Sequence, residues 1–548
     1  MTTRDKLSVL NPMGYPPKVT HKPPAARLNT LDGKTIYLID VRFDDSHILL
    51  QQMQKWFAEH VPSVKTVLKP LSSTYMQDDP ATWEEIKAKG DAAIIGVGHC
   101  STCAPGVVTH GMTIDSKYGV PTVAIHTRVF EGVVRAVAQA NGMPYMRQVF
   151  VPQPVMGKSA PELWAYVDGN DPTTGRPVME GVIESLTKPI TDEELKSVAF
   201  VRSTPRLVEP DSKENLHRLF RDNHWTDQLP IMLPTEERVA AMLAGTRRKP
   251  NDVVGHMRAT QFREYWEYTV ENVAVNAVMA GAKPEYFPVI LALAASGVTS
   301  RESSTSSAAA MVAVNGPIRH ELGMNSGIGA TGPYNHANAT IGRAYGLLSQ
   351  NLQGGSVPGL SYMGSQGNNY SYNNMMFAEN EERSPWEPFH VQRGFLSTDS
   401  TVSVFNGCRS TAFTLGLRAE HWRNHVRHML RGMDPLSPPT LLLDPIAARQ
   451  FVEHGFTTKE QLIAWVHDNA RIAAREYWDY QLVQNYIYPR ATFGEEPWAT
   501  RLKAGPDELI HMFRPEDIHV VVMGGETNGY WRIMGGSYQK TVSVDEWR

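Results

Sequence analysis

Between residues 34 and 152, short apolar runs alternate with amphipathic segments, and this alternation restricts the possible folds more than any other feature. The runs are KTIYLIDV (34–41), KTVLKPL (65–71), DAAIIGVG (91–98), PTVAIHT (121–127) and MRQVFVP (146–152). Between them lie SHILLQQMQKWFAEH (46–60), with Leu49, Met53, Trp56 and Phe57 at helical spacing, ATWEEIKAKG (81–90), closed by Gly90, and VFEGVVRAVAQANG (129–142). A run as continuously apolar as 91–98 belongs where both faces are covered. Strands of that kind separated by helices predict a parallel, doubly wound α/β sheet.

The rest of the chain divides around this unit. Residues 1–25 carry five prolines and little periodicity, so they read as an extended arm, either disordered or wrapped over a partner. Residues 26–165 form the α/β domain, 166–235 a connecting region with a few helices, and 236–548 a larger glycine-rich α/β domain. Within the latter, 295–375 is dense in Gly, Ser and Asn. Ile, Val, Leu and aromatics interleaved there favour a compact domain with many turns over a low-complexity linker. A helix-rich stretch (445–485) and a final strand with a glycine turn, DIHVVVMGGETNG (517–529), complete it. At 548 residues the chain is too long for a single ordinary core.

Charge and hydropathy exclude several classes of function. A net charge of -4 makes no electrostatic case for nucleic acid or acidic membranes. No run approaches the roughly 18 apolar residues of a membrane helix, and the first 34 residues lack the apolar core of a secretory signal. Three cysteines make no disulfide framework and suit a reducing compartment, so the expected location is cytoplasmic.

Two of those cysteines, Cys100 and Cys103, sit together where strand 91–98 should pass into a helix. In parallel sheets that carboxyl edge is where ligands bind. Helix-end N–H groups stabilise a thiolate, and Cys-x-x-Cys spacing lowers the first thiol further, so Cys100 reads as the attacking thiol and Cys103 as the resolving one. Pro105 fits the first helical turn. Two packed small residues are the plain alternative. A metal site drawing on His99, Cys100, Cys103, His110 and His126 is the sharper rival, although three cysteines exclude an all-thiolate site within one chain. His99 is adjacent to Cys100, but strand neighbours point to opposite faces. Cys408 stands alone and reads as buried.

The second domain offers a polar cluster. In AENEERSPWEPFHVQRG (378–394), Glu379, Glu381, Glu382, Glu387, His390 and Arg393 surround Trp386, and the prolines forbid a continuous helix. The segment is either a solvated charged turn or a loop anchored by Trp386 and Phe389. In NHANATIGRA, His336, Asn338 and Arg343 could hold an anionic group, with Gly342 allowing close approach. MGGETNG lacks both a Walker lysine and the G-x-G-x-x-G spacing.

ARLNTLDGKTIYLID, DAAIIGVGHCSTC, GVPTVAIHTRVF and ANGMPYMRQVFVPQPV, together covering 26 to about 165, resemble the UGSC family of selenoproteins and their cysteine homologues. By that resemblance Cys100 takes the selenocysteine position and Cys103 the cysteine of the motif, which implies attack or redox work at Cys100. The chain departs from the family pattern at His99, in place of an acidic residue, at Ser101-Thr102, in place of Gly-Ser, and at Gln153, in place of His. The second half is similar to larger proteins found fused to or partnered with such domains.

The resulting expectation is a thiol-dependent enzyme, an oxidoreductase acting on a small organic substrate. A non-redox lyase or transferase, or a metal-binding or redox-sensor protein, are the alternatives. Cys100, Cys103, His99, His390 and Glu379 are the expected catalytic residues, and His336, Asn338, Arg343 and Arg393 the substrate-binding ones; His336, Arg343, Glu379 or His390 is expected to face Cys100 across an interdomain cleft, with His390 or a glutamate moving protons. No resident metal and no particular cofactor is indicated. The expected partners are a small-molecule substrate and a thiol reductant, with a homo-oligomer left open.

Overall fold

The computed structural model describes residues 6–196, 204–257, 265–301, 307–353, 359, 362, 364–409 and 411–548. Parts of the glycine- and serine-dense stretch (302–306, 354–358, 360, 361 and 363) lie outside the described residues.

The first unit runs β1 (Thr35–Asp40), α1 (Ser46–His60), β2 (Lys65–Pro70), α2 (Pro80–Lys89), β3 (Ala92–Gly98), α3 (Cys103–Met112), β4 (Thr122–Thr127), α4 (Glu131–Ala140) and β5 (Arg147–Val151). Its five strands are all parallel in the order β2-β1-β3-β4-β5. Strand periodicity sorts the apolar side chains onto two faces. Tyr37, Ile39, Ala93, Ile95 and Ala124 meet Trp83 and Ile86 of α2, Val107 of α3 and Val134 of α4. Ile36, Leu38, Ile94, Val123 and Ile125 meet Leu50 and Met53 of α1 on the other side.

That second face is completed by α5 (Ala160–Val167) and α6 (Val178–Thr187), through Leu163, Val178, Met179, Val182 and Leu186. The connecting region expected from 166 is therefore divided. Its first part covers the sheet, because a strand layer this apolar needs helices on both faces. Val208, Leu216, Phe220 and Leu233 enter the core of the second unit.

The second unit stacks four layers. One sheet has the order 537–543, 401–408, 309–315, 375–378, and the other 411–415, 530–535, 439–443, 519–522. In the first sheet Val312 and Val314 point to the helices Val270–Met279, Phe287–Ala295 and His336–Asn351, whereas Met311, Ala313, Phe377 and Phe405 point inward. They meet Leu442, Val521 and Met534 of the second sheet, whose outer residues Leu441, Leu443, Val520 and Ile533 pack on helices of 422–487. The result is helix, sheet, sheet, helix. It is α/β, as expected, but built from two facing mixed sheets.

The N-terminal arm is extended and wraps its own chain. Leu7 N–H donates to Asp211 O (2.9 Å), Leu10 N–H to Pro234 O (2.9 Å) and Tyr15 N–H to Glu267 O (2.7 Å), while Val9 and Leu10 are buried in the second unit. The arm then crosses to the first unit, where Lys22 N–H reaches Gly142 O (3.0 Å) and Arg27 forms a buried ion pair with Asp115 (2.8 Å).

Candidate active site

In this strand order β1 and β3 are neighbours, and β1 leads outward to β2 while β4 and β5 lie on the other side. The crevice beyond the carboxyl ends of β1 and β3 is thus the switch point of the sheet. Two loops meet there, 41–45 after β1 and 99–102 after β3. The first carries Arg42 (φ 59°) and Asp44 (φ 47°) in the left-handed region. Strained backbone of this kind persists where its surroundings hold it. Here Asn485 of the second unit both accepts from Asp44 N–H (2.9 Å) and donates to its carboxylate (2.7 Å), and Arg42 donates to Thr492 (2.8 Å).

Cys100 lies in the second loop and Cys103 opens α3. The Cys103 backbone N–H donates to Cys100 Sγ (2.9 Å), and the Cys100 N–H donates to Cys103 Sγ (2.9 Å). Thr102 Oγ1 lies 3.4 Å from the Cys100 sulfur and 2.8 Å from the Tyr75 hydroxyl, which itself stands 4.0 Å from the sulfur. The fourth wall comes from the other unit: Tyr486, at the end of helix Gln481–Tyr486, places its hydroxyl 3.0 Å from that of Tyr75. Phe43 packs edge-on against Tyr75, His99 and Tyr486 together. Cys100 is left 5 % exposed, so a reagent reaches it only if this cover shifts.

The two thiols are differentiated. Burial pushes Cys100 up, but hydrogen bonds from Cys103 and Thr102, including their backbone N–H groups, outweigh it and hold the thiol below its ordinary range. Cys103 is held well above that range by burial and by the hydrogen bond to and charge of Cys100. Burial and the charge on Cys100 likewise raise Tyr75 and Tyr486, so both hydroxyls stay protonated beside a thiolate. The constellation can present one anionic sulfur surrounded by proton donors.

Residues 8–172 match the UGSC family. No curated protein and no solved structure matches the chain. The UGSC match takes in both cysteines, all five parallel strands and α5, and it stops before α6.

Within the UGSC part, His99 is directed away from chemistry at sulfur. Its Nε2–H donates to Phe43 O (3.1 Å), burial lowers its pKa, and among the described residues no hydrogen bond joins it to Cys100. His110 Nε2 faces Tyr75 O (2.8 Å). His126 lies against Gly98, where an added Cβ would come within 2.2 Å of its Nδ1. Among the described residues, no group of three or more possible metal ligands includes either cysteine.

The expected site residues of the second unit are engaged within that unit. His336 Nδ1 is 3.3 Å from the Tyr286 hydroxyl, Asn338 ties down the 325–330 loop, and Arg343 is paired with Asp227 (2.8 Å). The space at Gly342 is taken by the carbonyl of Asn373, 1.9 Å from where a Cβ would stand. Glu379 is fully buried, accepting from Asn315 (2.6 Å) and Phe389 N–H (2.7 Å) and paired with buried Lys459 (3.4 Å). His390 is buried, and Arg393 donates to His519 (2.9 Å) while stacking on Phe389 and Tyr538. The 378–394 loop is anchored, with Trp386 Nε1–H bonded to Phe456 O (3.1 Å). The group that the second unit does bring to the thiol is Tyr486.

Sequence reasoning missed Tyr75, Thr102 and Tyr486 as site residues. Tyr75 and Thr102 carried a usable signal, since each occupies a loop at the carboxyl edge of the sheet. Tyr486 carried none. Between the units, the loop after β1 and the segment 478–493 line a cleft of about 760 Å³ walled by Arg42, His47, Trp478, Asn485, Tyr488 and Phe493.

Proposed function

We propose that the chain is a thiol-dependent enzyme acting on a small organic substrate, with Cys100 as nucleophile and Cys103 as resolving thiol. The observation that carries this reading is the split between the two sulfurs: Cys100 lowered by donors from Cys103 and Thr102, Cys103 raised beside it. The Cys100 thiolate attacks the electrophilic atom of the substrate, and the departing group leaves with the bonding pair and a proton from the Tyr75 or Tyr486 hydroxyl. Cys103 then loses its proton to that tyrosinate and attacks the Cys100 sulfur. The substrate fragment departs with the second electron pair, and a Cys100–Cys103 disulfide remains. An external thiol reductant reopens it. The substrate approaches from the cleft between the units, and Tyr486 moves aside to admit it.

A second reading, without net redox change, draws on the raised pKa of Cys103. A thiol held protonated beside a thiolate can donate its proton to the leaving group, as in a lyase or transferase.

The test uses the reduced chain and a small model disulfide, read by intact and peptide mass spectrometry. The wild type should lose two hydrogens as the Cys100–Cys103 bond closes. Cys103→Ser should trap an adduct on Cys100, and Cys100→Ser should give neither product. An adduct on Cys100 that persists in the wild type favours the second reading. Absence of any reaction at Cys100 defeats both.

A further inference from the structure

We propose that His467, Asp468 and His511 form a binding site for a divalent transition-metal ion of the zinc type. One ligand atom from each of the three lies within 4.8 Å of the others. His467 lies in the last turn of the helix Lys459–Asn469, and His511 ends the strand Leu509–His511 that pairs with Arg471–Ala473. The two imidazoles stack face to face, with centroids 3.8 Å apart and planes 3° from parallel.

The hydrogen bonds prepare both rings for ligation. His467 Nδ1–H donates to Phe513 O (3.0 Å), and His511 Nδ1–H donates to the carbonyl of His467 (3.0 Å). A carbonyl only accepts, so each bond fixes the proton on Nδ1 and leaves Nε2 with a free lone pair. Metal-binding histidines are commonly oriented by this kind of outer bond.

Two imidazoles and one carboxylate are borderline donors suited to zinc, with water filling the remaining position, and unsuited to calcium or magnesium, which prefer oxygen sets. Capture requires the rings to tilt out of their stack and Asp468 to exchange its contact with Arg471, a partly exposed pair at 3.6 Å. The site lies outside the UGSC match. An ion there would cross-link a helix end to the two-stranded sheet whose strand Arg471–Ala473 leads directly into the helices ending at Tyr486. Its role is structural, holding the root of the segment that covers Cys100.

The experiment is a Co²⁺ titration of the full, metal-stripped chain, followed by absorbance and by thermal unfolding. One equivalent should develop weak visible bands of nitrogen and oxygen ligation, without the thiolate-to-cobalt charge-transfer band that Cys100 or Cys103 would add. Zn²⁺ should displace the cobalt and raise the unfolding temperature. His467→Ala and His511→Gln should each abolish the spectrum and the stabilisation. Cys100→Ser/Cys103→Ser should leave both intact, which separates this site from the thiol reading. If either histidine variant misfolds, Asp468→Asn in an otherwise unchanged chain should weaken binding. No spectrum, a spectrum with thiolate character, or binding indifferent to all three substitutions would overturn the proposal.

Discussion

Replacing Thr102 by Val probes the thiol site with the least disturbance, because the side chain keeps its β-branching and loses only its hydroxyl. That hydroxyl lies 3.4 Å from Cys100 Sγ and 2.8 Å from the Tyr75 oxygen. Once Cys100 is a thiolate its charge turns the Thr102 proton toward sulfur, whereas Tyr75 still has Tyr486 as a partner at 3.0 Å. Hydrogen bonds to charged groups contribute about 1.5–3 kcal/mol, and a contact this long to sulfur belongs at or just below the low end. About 1.4 kcal/mol corresponds to one pH unit. The Cys103 backbone N–H at 2.9 Å remains, so the depression is reduced rather than removed. The midpoint for alkylation of Cys100 by iodoacetamide should therefore rise by about one unit, followed by peptide mass mapping across pH. Cys408, pushed up to about 12 by burial, serves as an internal unreactive thiol. Thr109→Val, which removes a hydroxyl that among the described residues is bonded only to Pro105 O on the same helix, should leave the midpoint in place. An unmoved midpoint in Thr102→Val, or an equal shift in Thr109→Val, would refute the reasoning.

Tyr486→Ala should speed alkylation of Cys100 at every pH, since it removes the wall contributed by the second unit; an unchanged rate would mean that Tyr486 does not limit access. Lys459→Met should destabilise the second unit by about 3–5 kcal/mol in urea unfolding, because it strands the buried Glu379 carboxylate, and adding Glu379→Gln should recover part of that loss. Burial pushes His126 and His519 down to about 3, so below about pH 6.5 the unfolded chain takes up protons that the folded chain refuses. Stability should accordingly fall with acidification from about pH 6.5 to about 3, by up to about 1.4 kcal/mol per pH unit for each histidine. His126→Leu should lessen that slope, and a slope that does not change would show that His126 is not buried as a neutral ring.

The parallel sheet was legible because its strands are apolar at nearly every position and its helices are periodic, two signals that do not depend on the rest of the chain. The placement of Cys100 and Cys103 followed from the same logic, strand end into helix start. Helix α6 was legible in principle, since Val178, Met179, Val182 and Leu186 share a face, but its boundary was obscured by the polar turn 168–176. The second unit was harder. A facing pair of mixed sheets has non-local pairings, such as 401–408 against 537–543, that leave no periodic trace in sequence. Glu379, His390 and Arg393 gather in sequence because the loop between strands doubles back, and they turn into the framework of their own unit rather than toward the cysteines. Tyr486 reaches the Cys100 site through tertiary packing and its bond to Tyr75, across 386 positions of chain.

The arm has a consequence for how the molecule is made. Leu7, Leu10 and Tyr15 leave the ribosome well before the backbone groups they bond, at 211, 234 and 267, and the layers behind those extend past residue 540. The five-stranded parallel sheet has its covering helices once α6 is out, while the arm, with Val9 and Leu10 exposed, must wait for a surface not yet synthesised. Its docking on the second unit therefore follows the synthesis of residues 211–267. Tyr486, which covers Cys100 in the finished fold, is synthesised later still, so the thiol lacks that wall until residue 486 has left the ribosome.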